Sequence, residues 1–236
     1  MYKTLLVSVL LLLVTLFVHC ALADEKPLLE PIEWSDIWIV NANKNELPRV
    51  LLVGDSIVRG YFDVVEKALV GKAYCARYAT SKFMGNPDYL AELAVLLNGY
   101  RFDVIHINNG LHGWAYTEEQ YAESFPKLLD TLEKHGKGAA VIWATTTPVR
   151  TGKKLARFDK KTERVKARNR IAVEVMREHG IPVNDLYGLV EQHAEFYSKD
   201  GTHFNNKGKT AQGKQVAEIV SSYLPNRTDA GDGKQQ

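Results

Sequence analysis

Three residues of this 236-residue chain carry the side chains of acyl chemistry: Ser56, Asp200 and His203. Ser56 ends the run Leu51-Leu52-Val53-Gly54-Asp55-Ser56, and beyond it Ile57, Tyr61, Val64, Val65 and Ala68 recur at helical spacing. The serine therefore stands where a buried strand gives way to the first turn of a helix. Free N–H groups and the positive end of the helix dipole gather there, and both favour the negative charge that builds on an acyl oxygen under attack. The same place equally suits a serine that merely caps the helix. Asp200 and His203 lie three residues apart in Asp200-Gly201-Thr202-His203, within a loop rich in turn formers. A serine hydroxyl becomes a good nucleophile when an imidazole takes its proton, and the imidazole works best when a carboxylate fixes its tautomer and stabilises its cation. Alone, this pair reads as a surface aspartate in a turn beside a solvated histidine.

Together, Gly-Asp-Ser after the first strand and Asp-x-x-His before the last helix resemble the SGNH (GDSL-type) hydrolase superfamily. The resemblance runs from about Arg49 to Tyr223. It implies a three-layer α/β/α flavodoxin-like fold with a central parallel sheet of about five strands, and chemistry without a cofactor. It implies Ser56 as nucleophile, His203 as general base and then acid, and Asp200 as its orienting partner. Members usually complete an oxyanion hole with the N–H of a glycine after the second strand and the Asn of a Gly-x-Asn after the third. Here the second strand runs into Tyr78-Ala79-Thr80-Ser81-Lys82, with no glycine until Gly85, and Ser81 is the substitute, acting through its N–H. After the third strand the chain reads Asn108-Asn109-Gly110-Leu111-His112, which puts His112 where the Asn should fall. A neutral imidazole can donate one hydrogen bond, so His112 can fill that role, with Asn108 or Asn109 as the alternative. The N–H of Ser56 itself is the remaining donor.

The elements that must position these residues alternate along the chain. Strands are expected near Val50 to Val53, Ala73 to Arg77, Val104 to Asn108, Ala140 to Ala144 and Pro182 to Asn184. Helices are expected near Ile57 to Val70, Asp88 to Asn98, Glu118 to Lys134, Glu163 to His179 and Gly208 to Tyr223. Such alternation argues for an α/β class with a parallel sheet covered on both faces, because each parallel crossover needs a helix-length connection. Ligands gather at the carboxyl ends of such strands, where Ser56, Ser81 and His112 all fall. The polar stretch Val149 to Thr162 is long for a connection and either shapes the pocket or lies on the surface. The basic series from Lys153 to Arg170 suits the solvated face of a helix, with Val165, Ile171, Ala172, Val175 and Met176 turned inward. A second possibility is that it rims the cleft and attracts an acidic polysaccharide.

Residues 1–23 have the pattern of a secretory signal peptide: Lys3, an apolar run from Leu5 to Val18, and Ala21-Leu22-Ala23 before the expected cleavage. Cys20 offers a lipid-anchored alternative, although Phe17-Val18-His19 lacks the small residues of such a site. Cleavage after Ala23 leaves Cys75 as the only cysteine, so the fold must rest on its core rather than on a disulfide. Residues 24–48 form a leader packed on the domain, and Trp34 and Trp38, four apart, suit a staple better than a sugar platform. Residues 49–224 form the hydrolase domain, and 225–236 a disordered tail containing the sequon Asn226-Arg227-Thr228.

The 30 basic and 28 acidic residues nearly balance, which gives no reason to expect nucleic acid or an anionic membrane surface as partner. The seven histidines include no HExxH and no Cys/His cluster, so no metal is expected. Gly208 to Lys214 matches part of a phosphate-binding loop, but Gln215 stands where Ser or Thr would hold magnesium, and Val58 breaks the GxSxG elbow around Ser56. The resemblance, with the signal-peptide pattern, implies a secreted or periplasmic serine esterase, with short acyl esters on carbohydrate favoured as substrate. Its partner is then a small-molecule or polysaccharide ester. The rivals are a lipase, thioesterase or acyltransferase on the same triad, and a saccharide-binding protein of the same fold without turnover.

Overall fold

The computed structural model describes residues 26–225. In chain order these form β1 (Ser35–Ile39), β2 (Arg49–Gly54), α1 (Ser56–Ala68), β3 (Tyr74–Thr80), α2 (Pro87–Gly99), β4 (Val104–Ile107), α3 (Glu118–Glu123), α4 (Phe125–His135) and β5 (Ala140–Ala144). A small hairpin follows, β6 (Arg150–Thr151) and β7 (Arg157–Phe158), then α5 (Lys161–Glu178), β8 (Val183–Asn184), α6 (Leu186–Glu191) and α7 (Asn206–Ser222). The expected signal peptide, Cys20 and the tail beyond Pro225 lie outside the described residues. No helix among the described residues is long and apolar enough to cross a membrane.

The main sheet has six strands in the order β1-β3-β2-β4-β5-β8. All neighbours are parallel except β1, which pairs antiparallel with β3 from Ser35 opposite Thr80 to Ile39 opposite Ala76. Leaving β1 aside, the strands taken in chain order lie 2-1-3-4-5 across the sheet, the doubly wound flavodoxin order. The strand order reverses between β2 and β4, so the loops after these two strands flank the crevice where such folds bind ligands.

β2 shows why the sheet is covered on both sides, since all six of its residues are buried. Val50 and Leu52 enter one core with Tyr61 and Val65 of α1 and Val216 and Val220 of α7. Leu51 and Val53 enter the other with Leu93 of α2, Leu128 of α4 and Met176 of α5. Removing each such side chain from water stabilises the fold by roughly 1.5–3 kcal/mol.

Four expectations are corrected. The leader is not only packed on the domain, because its residues Ser35–Ile39 form the sheet's antiparallel edge. Trp38 lies in that strand and stays 59% exposed, so the tryptophan staple does not form. The helix expected from Glu118 to Lys134 is two, broken at Ser124, because Pro126 has no N–H to continue the ladder and its ring crowds the preceding turn. Arg168, assigned to a solvated face, is fully buried, and α6 was not expected at all.

Candidate active site

Gly54 lets the chain turn from β2 into α1, since a Cβ there would stand 2.4 Å from Val58 Cγ2. Asp55, not Ser56, caps the helix: its backbone is extended and its Oδ1 accepts the Ile57 N–H at 2.8 Å. The capping role considered for Ser56 is thereby taken, and its hydroxyl is released for other work. Ser56 Oγ lies 2.8 Å from His203 Nε2, and His203 Nδ1 lies 2.8 Å from Asp200 Oδ2. Asp200 Oδ1 meanwhile accepts the N–H groups of Thr202 and His203, both at 2.8 Å. One carboxylate thus folds its own turn and orients the imidazole. Ser56, His203 and Asp200 are brought together in a row that can pass a proton from hydroxyl to imidazole.

The loop carrying Asp200 and His203 is held from several sides. Gly201 has φ +74°, a left-handed conformation that suits glycine, and its carbonyl accepts the Arg150 N–H at 2.7 Å. The Ser198 N–H donates to the His203 carbonyl at 2.8 Å, and Asn205 caps α7 through Lys207 N–H and Gly208 N–H. Arg150 itself is fixed by Leu155 O and Glu191 O, with its guanidinium over the Tyr197 and Phe158 rings. The stretch from Val149 to Thr162 is therefore a hairpin seated on the histidine loop. A cleft of about 180 Å³ opens beside the row, lined among others by Ser56, Ser198, His203, Phe204, Lys209 and Gln212.

Charge in the site follows from burial and donors. Partial burial works to raise the Asp200 carboxyl, but the N–H groups of His203 and Thr202 and the His203 ring outweigh it and hold it below the usual carboxylate range. Asp55 is shifted the other way: burial pushes its carboxyl up, against His112, the Ile57 N–H and His203. Both imidazoles act on Asp55, so His112 and His203 each stand within Coulombic reach of the Gly-Asp-Ser turn.

The oxyanion donors differ from expectation. Ser81 is fully buried, its N–H donates to Trp34 O at 3.1 Å and its Oγ accepts the Trp34 N–H, so it has no N–H to offer an oxyanion. Asn108 spends both amide hydrogens on Ala144 O and Thr146 Oγ1. Asn109 ties the neighbouring loop together, donating to Lys82 O and accepting the Met84 N–H. These residues brace the edge of the sheet; Ser81 and Asn108 have no hydrogen left for an acyl oxygen, and Asn109 has one amide hydrogen without a partner among the described residues. The Ser56 N–H, first of α1, has no partner among the described residues. His112 is half-buried with Nδ1 2.9 Å from Glu30 Oε2. An ionised carboxylate only accepts, so Nδ1 carries the hydrogen and a neutral ring has no donor left at Nε2. The neutral-imidazole donor expected at His112 is thus excluded by its partner.

Three residues here escaped the sequence. Asp55 carried a readable signal, since Asp before a helix is a strong cap. Glu30 carried none, being 82 positions from His112. Arg168 stood in a basic series, yet its guanidinium donates to the carbonyls of Gly110, His112 and Gly113 at 3.1, 2.7 and 2.9 Å and meets Glu118 at 3.5 Å.

The fold agrees with comparison to known proteins. The model of the GDSL-like lipase/acylhydrolase family matches residues 52–211, and the chain belongs to that family. It is a carboxylic ester hydrolase of the SGNH class, as the two end motifs suggested. No curated protein matches the chain. Among solved structures it is similar in fold to a lipase/acylhydrolase from Enterococcus faecalis, at 22% identity and TM-score 0.59, covering 80% of this chain and 100% of the other. A carbohydrate acetylesterase family member from Sinorhizobium meliloti is 17% identical with TM-score 0.58, over 75% and 99% of the two chains. The inhibitor-bound aryl esterase of M. smegmatis is 16% identical with TM-score 0.62, over 75% and 100%.

Proposed function

We propose that this chain is an exported serine esterase that removes short acyl groups, acetyl foremost, from carbohydrate through an acyl-enzyme on Ser56. The observation that carries the reading is the row Ser56 Oγ, His203 and Asp200, with both links at 2.8 Å. Ser56 attacks the ester carbonyl while His203 Nε2 takes its proton, and Asp200 stabilises the imidazolium. His203 then gives that proton to the departing alkoxide, and the cycle repeats with water as the nucleophile.

The shape and lining of the cleft support this choice of substrate. At about 180 Å³ it is smaller than pockets that enclose a drug-sized ligand, which favours a short acyl chain. Ser198, Lys209 and Gln212 give it polar walls suited to a hydroxylated alcohol part, and His203 stands 47% exposed, open to a bulky leaving group. That a carbohydrate acetylesterase shares the fold is consistent with this choice. Export rests on the pattern of residues 1–23 alone.

The test is labelling of the purified protein with a fluorophosphonate, followed by peptide mass mapping and acetyl-sugar assays. Adduct on Ser56 that disappears in Ser56→Ala and His203→Ala variants is the expected result, with acetate released from acetylated saccharides. Absence of adduct, under conditions that label a control esterase, overturns it.

A further inference from the structure

The loop that follows β4 is gripped from two directions. From below, Arg168 of α5 takes the carbonyls of Gly110, His112 and Gly113. From the leader, Glu30 takes its N–H side: Oε1 accepts the Gly113 N–H at 2.9 Å, and Oε2 pairs with His112 Nδ1 at 2.9 Å. The leader is anchored on either side of Glu30 by Leu28 N–H to the Tyr116 hydroxyl and by Trp34 N–H to Ser81 Oγ, while Glu30 N–H closes a local turn onto Glu33 Oε1. Its position is therefore built rather than incidental. The other ring nitrogen, Nε2, has no hydrogen-bond partner among the described residues, and the side chain is partly exposed.

We propose that Glu30 is a positioning residue which reserves His112 Nε2 for the oxyanion formed at Ser56, and makes that nitrogen a donor only when the ring carries both protons. The proposal rests on the esterase reading above. Two observations place His112 for this work. Its loop leaves the carboxyl end of β4, which is paired directly with β2, the strand that delivers Ser56. Leu111, its neighbour, lines a small cavity with Ile57 and Val58 of α1. In keeping with this, the carboxyl of Asp55, adjacent to Ser56, is pushed up by burial and drawn down in part by the His112 ring.

The valence count is simple. Glu30 accepts from Nδ1, so a neutral ring presents a lone pair at Nε2, which repels an oxyanion. The imidazolium presents N–H there, and it brings a full positive charge as well as a hydrogen bond. The groups that face this charge are Glu30 from the leader, Asp55 from the turn after β2, and Arg168 with Glu118 beneath the loop. Arg168 meets the carbonyl of His112 and not its ring. A ring holding a single proton therefore cannot serve the oxyanion while Glu30 keeps its place.

Glu30→Gln tests this because of how an amide must sit. Its oxygen replaces the acceptor for the Gly113 N–H, which turns its NH₂ toward His112 Nδ1. The neutral ring then holds its hydrogen on Nε2 and donates without a charge. The experiment compares pH profiles of kcat and KM for a short aryl ester, with Ser56→Ala as the zero. In the native enzyme kcat should fall at least tenfold on the alkaline side, and that limb should vanish in Glu30→Gln. His112→Asn, an always-available donor, should also lack the limb, and adding Glu30→Gln to it should change neither kcat nor its pH dependence. His112→Ala should lower kcat by roughly 10²- to 10³-fold with KM little changed. Superimposed profiles for the native enzyme and Glu30→Gln overturn the proposal. If instead Ser56→Ala hydrolyses the ester as fast as the native enzyme, it is the esterase reading that fails.

Discussion

Asp200 does two jobs with one carboxylate, and its two oxygens divide them. Oδ1 closes the turn through two N–H donors, and Oδ2 holds the His203 ring. Asp200→Asn keeps an acceptor for the turn yet presents an NH₂ or a neutral oxygen to Nδ1, losing the charge that steadies the imidazolium. Its kcat should drop by roughly 10²- to 10⁴-fold while the folded protein retains its circular dichroism, and a smaller loss would mean that the exposed carboxylate contributes little. Because its donors keep Asp200 below the usual carboxylate range, it stays ionised wherever a free imidazole titrates, and the acid limb of activity belongs to other groups. The triad was legible at this scale because Ser, His and Asp have no ordinary reason to recur in those two motifs together. The oxyanion donors were not, because hydrogen bonds made by Ser81, Asn108 and Glu30 depend on which distant chain arrives, and type and spacing do not encode that.

At the level of elements, the turn from β2 into α1 depends on Asp55. Asp55→Ala should cost about 1 kcal/mol of stability in denaturant titration through loss of the cap. Asp55→Asn should act differently. Burial raises the carboxyl of Asp55 in the folded state, so its contribution is fully present below the unfolded carboxylate value and is lost as pH rises through the folded one. The Asn variant keeps the acceptor without that loss. Its melting temperature should exceed that of the native protein at neutral pH and converge with it in acid; parallel curves would assign Asp55 no net titration. The hairpin β6–β7 is the second such element. A Cβ at Gly201 would stand 2.0 Å from Arg150 O, and φ is +74°, so Gly201→Ala must push the histidine loop off its seat. About 1–3 kcal/mol of stability and most of kcat should go with it, as read by thermal melts and ester hydrolysis. The parallel strands and their helices were readable because burial on both faces leaves continuous apolar runs. β1 was not, since Ile37 and Trp38 remain exposed and their alternation carries no buried face.

Across the whole molecule, stability comes from two cores pressed on one sheet, with the only cysteine of the described residues held inside one of them. Burial pushes the Cys75 thiol up to about 12, and the side chain is 2% exposed. A thiol reagent at neutral pH should leave the native protein unmodified for hours and label it stoichiometrically in denaturant, which makes Cys75 a reporter of global opening. Labelling at the native rate of a free thiol would mean that β3 opens locally. The same sheet explains why distant segments of the sequence meet: strands β2 and β4 lie side by side, and the returning chain brings α7 against α1.

The hydrogen bond from Ser56 to His203 spans 147 positions of the sequence. A chain growing from its first residue therefore holds its nucleophile, the strand beneath it and the leader carboxylate long before it holds a base. Until the segment carrying His203 has emerged and the hairpin has taken its seat, Ser56 has no imidazole beside it. On the proposed triad, reactivity is a property of completion: a copy that ends before His203 has no base for Ser56 and is silent without any inhibitor.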